Sequence, residues 1–243
     1  MRVVKKIYHQ EKIIFVKKDS KFNKRKNEKT EEKNVSNDAV QKKKVVSSKH
    51  KLLKVKDDNY TKNLKIIDLD HCDTKILPEE SYKDYRELEK VILPKKLETI
   101  SKGSFMNCFK LKDLNFDIKN SITIKESAFL SCISLEEVHL NTNSIGDKAF
   151  YNCKSLKKIT IDCDSDEIKL GSEVFCYCYS LNELIAPKIK SFSNFEFFKC
   201  SQIKKIVVHR KCKIDKKFLK KMLTIDCKIK ISKKGMTKII TIN

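Results

Sequence analysis

Ten cysteines and five histidines are the residues of this 243-residue chain whose chemistry would matter most if they were gathered in one place. Thiolate and imidazole hold zinc when the ligands come as close pairs, such as two cysteines two residues apart, joined to a second such pair. Two stretches approach that pattern: "CYC" carries Cys176 and Cys178, and "HRKC" sets His209 three residues before Cys212. Neither has a matching second pair. His9, His50, His71, His139 and His209 are scattered, and the acid pairs Glu79–Glu80 and Glu136–Glu137 suit a solvated turn or strand edge better than a catalytic dyad. With four glycines, the chain also lacks a G-x-G-x-x-G, a phosphate-binding P-loop, a G-x-S-x-G and an H-E-x-x-H. The sequence therefore predicts no enzyme, no cofactor and no metal site.

Cys108, Cys132, Cys153, Cys178 and Cys200 nevertheless recur at regular intervals, and the reason lies in the segments that carry them. "ISKGSFMNC" (100–108), "IKESAFLSC" (124–132), "IGDKAFYNC" (145–153), "LGSEVFCYC" (170–178) and "FSNFEFFKC" (192–200) share one template, with worn copies in "LPEESYKDY" (77–85) and "IDKKFLKKM" (214–222). The large apolar anchors Tyr82, Phe105, Phe129, Phe150, Phe175, Phe197 and Leu219 are 23, 24, 21, 25, 22 and 22 residues apart. A second block keeps step with the first: "LKIIDL" (64–69), "LEKVIL" (88–93), "LKDLNF" (111–116), "LEEVHL" (135–140), "LKKITI" (156–161), "LNELIA" (181–186) and "IKKIVV" (203–208). Its second half alternates apolar with variable residues, the period of a strand with one buried face.

A unit of 21 to 25 residues with one strand per turn is a leucine-rich repeat coil, too small to bury its apolar side alone and stable only when stacked. Stacking brings each strand beside the next and places every repeated side chain over its counterpart. Cysteine, small and readily buried, would then fill a tight corner of each coil. Cys72, Cys163 and Cys227 stand outside the series. The expected fold is α/β, a leucine-rich repeat solenoid of about seven repeats with a short-stranded parallel sheet on its concave face. Residues 60–243 would form this solenoid with a C-terminal cap, and residues 1–59 a basic, largely disordered segment.

The motif "AF..C..L" after an aliphatic residue, as in "SAFLSCISL" (127–135) and "KAFYNCKSL" (148–156), together with strands running into proline in "VILP" (91–94) and "LIAP" (184–187), resembles the BspA-like, or Treponema-type, leucine-rich repeat family. The resemblance covers about residues 64–222. It implies protein–protein contact, or adhesion at a cell surface, without catalysis.

The strand block also nominates a binding face. Its third and fifth positions point away from the core: Lys90 and Ile92, Asp113 and Asn115, Glu137 and His139, Lys158 and Thr160, Glu183 and Ile185, Lys205 and Val207. The first column changes sign along its length and the second turns apolar towards the C-terminus, which suits a protein or peptide better than the continuous Lys/Arg track a phosphate backbone favours. A merely solvated face is the competing reading.

The formal charge of +22 is unevenly placed. Residues 1–60 hold 19 Lys and Arg against 8 Asp and Glu, so a quarter of the chain carries 11 of the 22 excess charges. "KFNKRKNEK" (21–29) and "QKKKVVSSKHK" (41–51) could serve as a nuclear import signal, a nucleic-acid arm or a tether to an anionic membrane, or be a passive extension. The first sixteen residues contain enough Val and Ile to form a short strand or to dock on the body. The opening residues break their apolar runs with lysines, no run is long enough to span a membrane, and the expected address is the cytosol or nucleus with reduced thiols.

Overall fold

The computed structural model describes residues 5–9, 12–16, 63–70, 72–116, 121–192, 197–213, 217, 219–220 and 229–242. The basic stretch 17–59, Cys227 and most of the last repeat template lie outside the described residues. The repeat period becomes a solenoid of about six turns. Its main strands are β3 (Ile66–Asp68), β5 (Lys90–Ile92), β7 (Asp113–Asn115), β9 (Glu137–Ile145), β10 (Lys158–Asp162), β12 (Glu183–Ala186) and β13 (Lys205–His209). They pair in parallel and in register in two runs, Ile67 on Val91 on Leu114 and, separately, Val138 on Ile159 on Leu184 on Ile206.

Each coil turns a corner after its strand and enters a second, shorter parallel ladder made of β4 (Ile76–Leu77), β6 (Thr99–Ile100), β8 (Ile122–Ile124), the far half of β9, and β11 (Lys169–Leu170). Antiparallel hairpins close the main ladder at both ends. β1 (Lys5–His9) and β2 (Lys12–Val16) attach to β3, and β14 (Ile229–Lys234) and β15 (Thr237–Ile242) attach to β13. The opening residues thus form a strand pair docked on the first coil. Hairpins at these positions give the terminal strands partners and protect edges that would otherwise recruit other chains. Helix is nearly absent, with α-helix confined among the described residues to 217 and 219–220.

The arms that carry the cysteine template are successive turns held by backbone bonds between coils. Phe105, Phe129 and Phe150 donate their N–H to Ala128, Ala149 and Val174 of the next coil at 2.8 to 3.1 Å, and Asn107, Ser131, Asn152 and Tyr177 do the same at 2.8 Å. Alternating handedness along the arm makes this geometry reachable. The residue before each cysteine is left-handed, with φ of 61° at Asn107, 61° at Ser131, 62° at Asn152, 62° at Tyr177 and 66° at Lys199. Asn and Ser tolerate that region better than most residues because their short polar side chains bond locally. Here they also bond across coils, Asn107 Nδ2 to Asp84 Oδ1 and Asn152 Nδ2 to Ser131 Oγ, each at 2.9 Å.

The core lies between the two ladders and the arms. Tyr82, Phe105, Phe129, Phe150, Phe175 and Phe197 form one stack, successive rings 5.2 to 6.0 Å apart and within 16° of parallel. Leu88, Leu111, Leu135, Leu156 and Leu181 are fully buried in a second column. Coils approach closely where Gly146 sits, since a Cβ there would lie 2.5 Å from the backbone nitrogen of Glu126.

Candidate partner-binding face

The ladder cysteines are buried and unpaired. Each thiol donates to a carbonyl of the preceding coil: Cys108 Sγ to Tyr82 at 3.1 Å, Cys132 to Phe105 at 3.2 Å, Cys153 to Phe129 at 3.3 Å, Cys178 to Phe150 at 3.2 Å and Cys200 to Phe175 at 3.0 Å. Sulfur here is both filler and a bond between coils. Burial pushes the Cys153 thiol up to about 12, and those of Cys108, Cys132, Cys178 and Cys200 also well above the ordinary thiol range, so all five remain protonated donors at neutral pH. Buried thiols of this kind are poor nucleophiles and poor ligands.

Cys176 is buried beside the arm, and His209 accepts from the Lys211 N–H through Nδ1 at 3.2 Å while its carbonyl accepts from Cys212 N–H. Among the described residues no group of three or more His, Cys, Asp and Glu side chains is arranged to hold a metal ion. Cys163, outside the ladder, is enclosed by Asn143 Oδ1 at 3.0 Å and Ser165 Oγ at 2.9 Å.

Of the outward columns, the side chains other than Asn115, which lies outside the described side chains, are exposed or half-buried, and the columns do not form one continuous strip. Lys90, Ile92, Asp113 and Asn115 belong to the ladder of β3, β5 and β7; the remaining eight residues belong to the ladder that starts at β9. Within each ladder the charged column pairs with itself, Glu137 excepted. Lys90 Nζ lies 2.5 Å from Asp113, and Glu183 is flanked by Lys158 at 3.7 Å and Lys205 at 3.4 Å. The same device recurs around the solenoid, in Lys75–Glu98 at 2.6 Å, Lys102–Glu126 at 2.9 Å, Lys110–Glu87 at 2.7 Å and Lys157–Glu136 at 2.6 Å, every pair joining neighbouring coils. Exposed pairs add little stability, but matching signs favours the correct register.

The second column runs Ile92 beside Asn115, and separately His139, Thr160, Ile185 and Val207. His139 Nε2 contacts Asp162 Oδ2 at 2.7 Å. Ile185 and Val207 are half-buried, and the row continues onto Ile239 of β15, whose register partner is Val207. Ile239 was absent from the sequence-derived set because nothing in the repeat template extends to residues 229–242; the alternation of "IKISKKGMTKIITI" around a Gly was the available signal.

Comparison with known proteins decides the family. A model described as "BspA type Leucine rich repeat region" matches residues 56–182 and 115–226 in six copies. The chain belongs to the BspA-type leucine-rich repeat family. Six matched copies against seven units read from the sequence reflect the worn terminal templates. Among solved structures, this family member is similar to a leucine-rich repeat protein of T. pallidum, at 21% identity and a TM-score of 0.51, covering 58% of this chain and 68% of that one. That likeness shows the fold. Weaker likenesses are to a leucine-rich repeat protein of Bacteroides ovatus, 23% identical with a TM-score of 0.40, and a leucine rich cell surface protein of Faecalibacterium prausnitzii, 17% identical with a TM-score of 0.41. The chain covers 60% and 58% of its own length in these two alignments and spans only 46% and 54% of theirs. Comparison with curated proteins gives no match. No helix among the described residues is long and apolar enough to cross a membrane.

Proposed function

We propose that this BspA-type protein is a non-catalytic scaffold that binds a protein or peptide through the outward face of its main sheet, the face expected to be concave. One observation carries the reading. On the part of the face where Glu183 is paired with Lys158 and Lys205, Ile185, Val207 and Ile239 form a half-buried row of β-branched side chains with no charged residue among them. An apolar row rimmed by paired charges is the composition of an interface centre with a polar rim. Residues 60–243 are the unit proposed to carry this face, with the basic segment 1–59 accessory to it. The nine described cysteines are all free thiols, which suits the reducing cytosol or nucleus.

Replacing Ile185 and Val207 together by lysine tests the reading. Immobilised wild-type and variant proteins would be compared for retained partners by quantitative mass spectrometry, after thermal melts show that both are folded. Loss of the proteins enriched by wild type is the expected result. Retention of the same set by the variant would overturn the assignment of this face.

A further inference from the structure

The junction between the third and fourth coils differs from all others on the main-sheet side. Elsewhere, each coil sends a fork of two N–H groups to one carbonyl of the coil before it. Glu89 and Lys90 share the Lys65 carbonyl, Lys112 and Asp113 that of Glu89, Lys157 and Lys158 that of Glu136, Asn182 and Glu183 that of Lys157, and Lys204 and Lys205 that of Asn182. Glu136 and Glu137 should direct the same fork at Lys112, and among the described residues no such bond exists. β7 and β9 are not paired, and the main ladder ends at one and restarts at the other. The remaining sides of this junction are closed: β8 pairs with β9, Phe129 N–H reaches the Ala149 carbonyl at 2.8 Å, and the Phe129 and Phe150 rings stack at 5.2 Å.

Two features of the sequence account for the opening. In the alternating column Lys90, Asp113, Glu137, Lys158, Glu183, Lys205, only Asp113 and Glu137 bring like charges to neighbouring positions, and like charges directly across paired strands are destabilising. Phe116 takes the place held elsewhere by Leu69, Leu93, Leu140 and Ile161, and its ring meets Phe129 edge-on at 6.2 Å, a larger body than the column accepts. Its N–H turns back to the Leu114 carbonyl at 3.1 Å instead of reaching the next coil.

The opening forms one end of a cleft of about 660 Å³, within the range of ligand sites, lined by Leu114 and Phe116 on one side, by Glu137, Val138, His139 and Asn141 of β9 on the other, and beyond them by Lys158, Thr160 and Asp162 of β10. Leu114 is half-buried, whereas Val91, Ile159, Leu184 and Ile206 of the same column are fully buried. Glu137 makes no ion pair among the described residues, and the buried Oδ1 of Asn141 has no hydrogen-bond donor. The cleft therefore offers free strand edges, the half-buried Leu114 and Phe116, and in Glu137 one acid with no ion pair among the described residues, while Asp113 at the facing edge is held by Lys90.

We propose that this cleft takes up an extended segment of a partner protein as an added parallel strand, with a Lys or Arg between Asp113 and Glu137 and apolar residues at the next position and two beyond it. The proposal rests on the main sheet being the interaction face, and it names a second place on that face with its own ligand chemistry. A basic residue there restores the alternation of sign, as Lys158 does between Glu137 and Glu183. The apolar residues would cover Leu114, beside the already buried Val138, and then pack beside Phe116. Strand addition supplies affinity through main-chain bonds and specificity through alternate side chains.

The probe is a labelled hexapeptide of sequence LKKITI, the block of residues 156–161 that already sits between two acidic rungs, titrated onto the full chain by fluorescence anisotropy. The control peptide is LEEITI. The proposal expects saturable binding of LKKITI, at least about tenfold weaker binding of LEEITI, and a loss of similar size with Glu137→Lys or with Asp113→Lys, given the cost of placing like charges together. The Ile185→Lys/Val207→Lys variant should bind LKKITI as wild type does, which separates this site from the apolar row. No binding of LKKITI, equal binding of LEEITI, or undiminished binding by both folded acid-to-lysine variants would each overturn the cleft assignment. None of these outcomes touches the partner-capture result for Ile185 and Val207. Loss of LKKITI binding in the Ile185→Lys/Val207→Lys variant alone would place the peptide on the apolar row and equally overturn it.

Discussion

The junction between coils three and four and the junction between coils four and five share the same arm and differ on the strand side. At both, phenylalanine stacks on phenylalanine, a cysteine bonds back to the preceding coil, and left-handed residues aim their N–H groups at the next turn. On the strand side, β10 pairs with β9 and sets Lys158 beside Glu137, whereas β7 and β9 are unpaired and Glu137 lines an open cleft. The comparison teaches that the arm and the second ladder hold the coils together, leaving the main sheet free to open where charge and volume do not match. Stability and recognition are thus carried by different sides of the same repeat.

The largest expected effect comes from attacking the shared arm. Phe150→Ala removes the central ring of the stack and should cost about 3–5 kcal/mol, read as a fall in the denaturation midpoint. Phe116→Ala, at the open junction, should cost much less, because that ring is already half-buried at the rim of the cleft. Equal losses would erase the distinction between the two sides.

Close approach and the buried thiols come next. Gly146→Ala forces a methyl group against the Glu126 backbone and should cost about 1–3 kcal/mol. Cys153→Ser keeps a donor for the Phe129 carbonyl but loses apolar burial, and should cost about 1–2 kcal/mol. The thiols also give a pH signature. The Cys153 thiol is raised by burial from 9.0 to about 12, so the folded chain holds its proton where the unfolded chain has begun to release it. Its contribution is complete below pH 9.0 and is lost as pH rises towards about 12, at up to about 1.4 kcal/mol per pH unit for this thiol. Denaturation midpoints measured from pH 8 upwards should therefore fall more steeply for wild type than for Cys153→Ser. Parallel curves would contradict a buried, protonated thiol.

The smallest effect is expected from Lys157→Ala. Its bond to Glu136 is short at 2.6 Å, but both side chains are about half-exposed, and solvent screens the pair. The melting temperature should not change measurably. A clear drop would mean that the coil-to-coil pairs stabilise the solenoid as well as favouring its register.

How much of this could be read from the residues depends on which interactions repeat. The aromatic stack, the leucine column and the cysteine ladder were legible because every coil buries the same side chain at the same place, so Phe105, Phe129 and Phe150 keep their period in the sequence. The second ladder was not, since β4, β6 and β11 are two residues long and too short to alternate. The left-handed positions left a partial trace in Asp84, Asn107, Ser131 and Asn152, obscured by Tyr177 and Lys199. The candidate face was read as a set of side chains offered to a partner. Four of those twelve side chains are engaged with one another in the Lys90–Asp113 and Lys158–Glu183 pairs, which depend on register and not on any one residue. The break after β7 was written as two successive acids, Asp113 and Glu137, whose meaning appears only once they are neighbours.

Amide hydrogen exchange on the free protein tests the asymmetry most directly. The account predicts strong protection of the Lys157 and Lys158 amides, which share the Glu136 carbonyl, and fast exchange at Glu136 and Glu137, whose fork has no acceptor across the junction. Equal protection at the two forks would show a closed sheet and contradict the account.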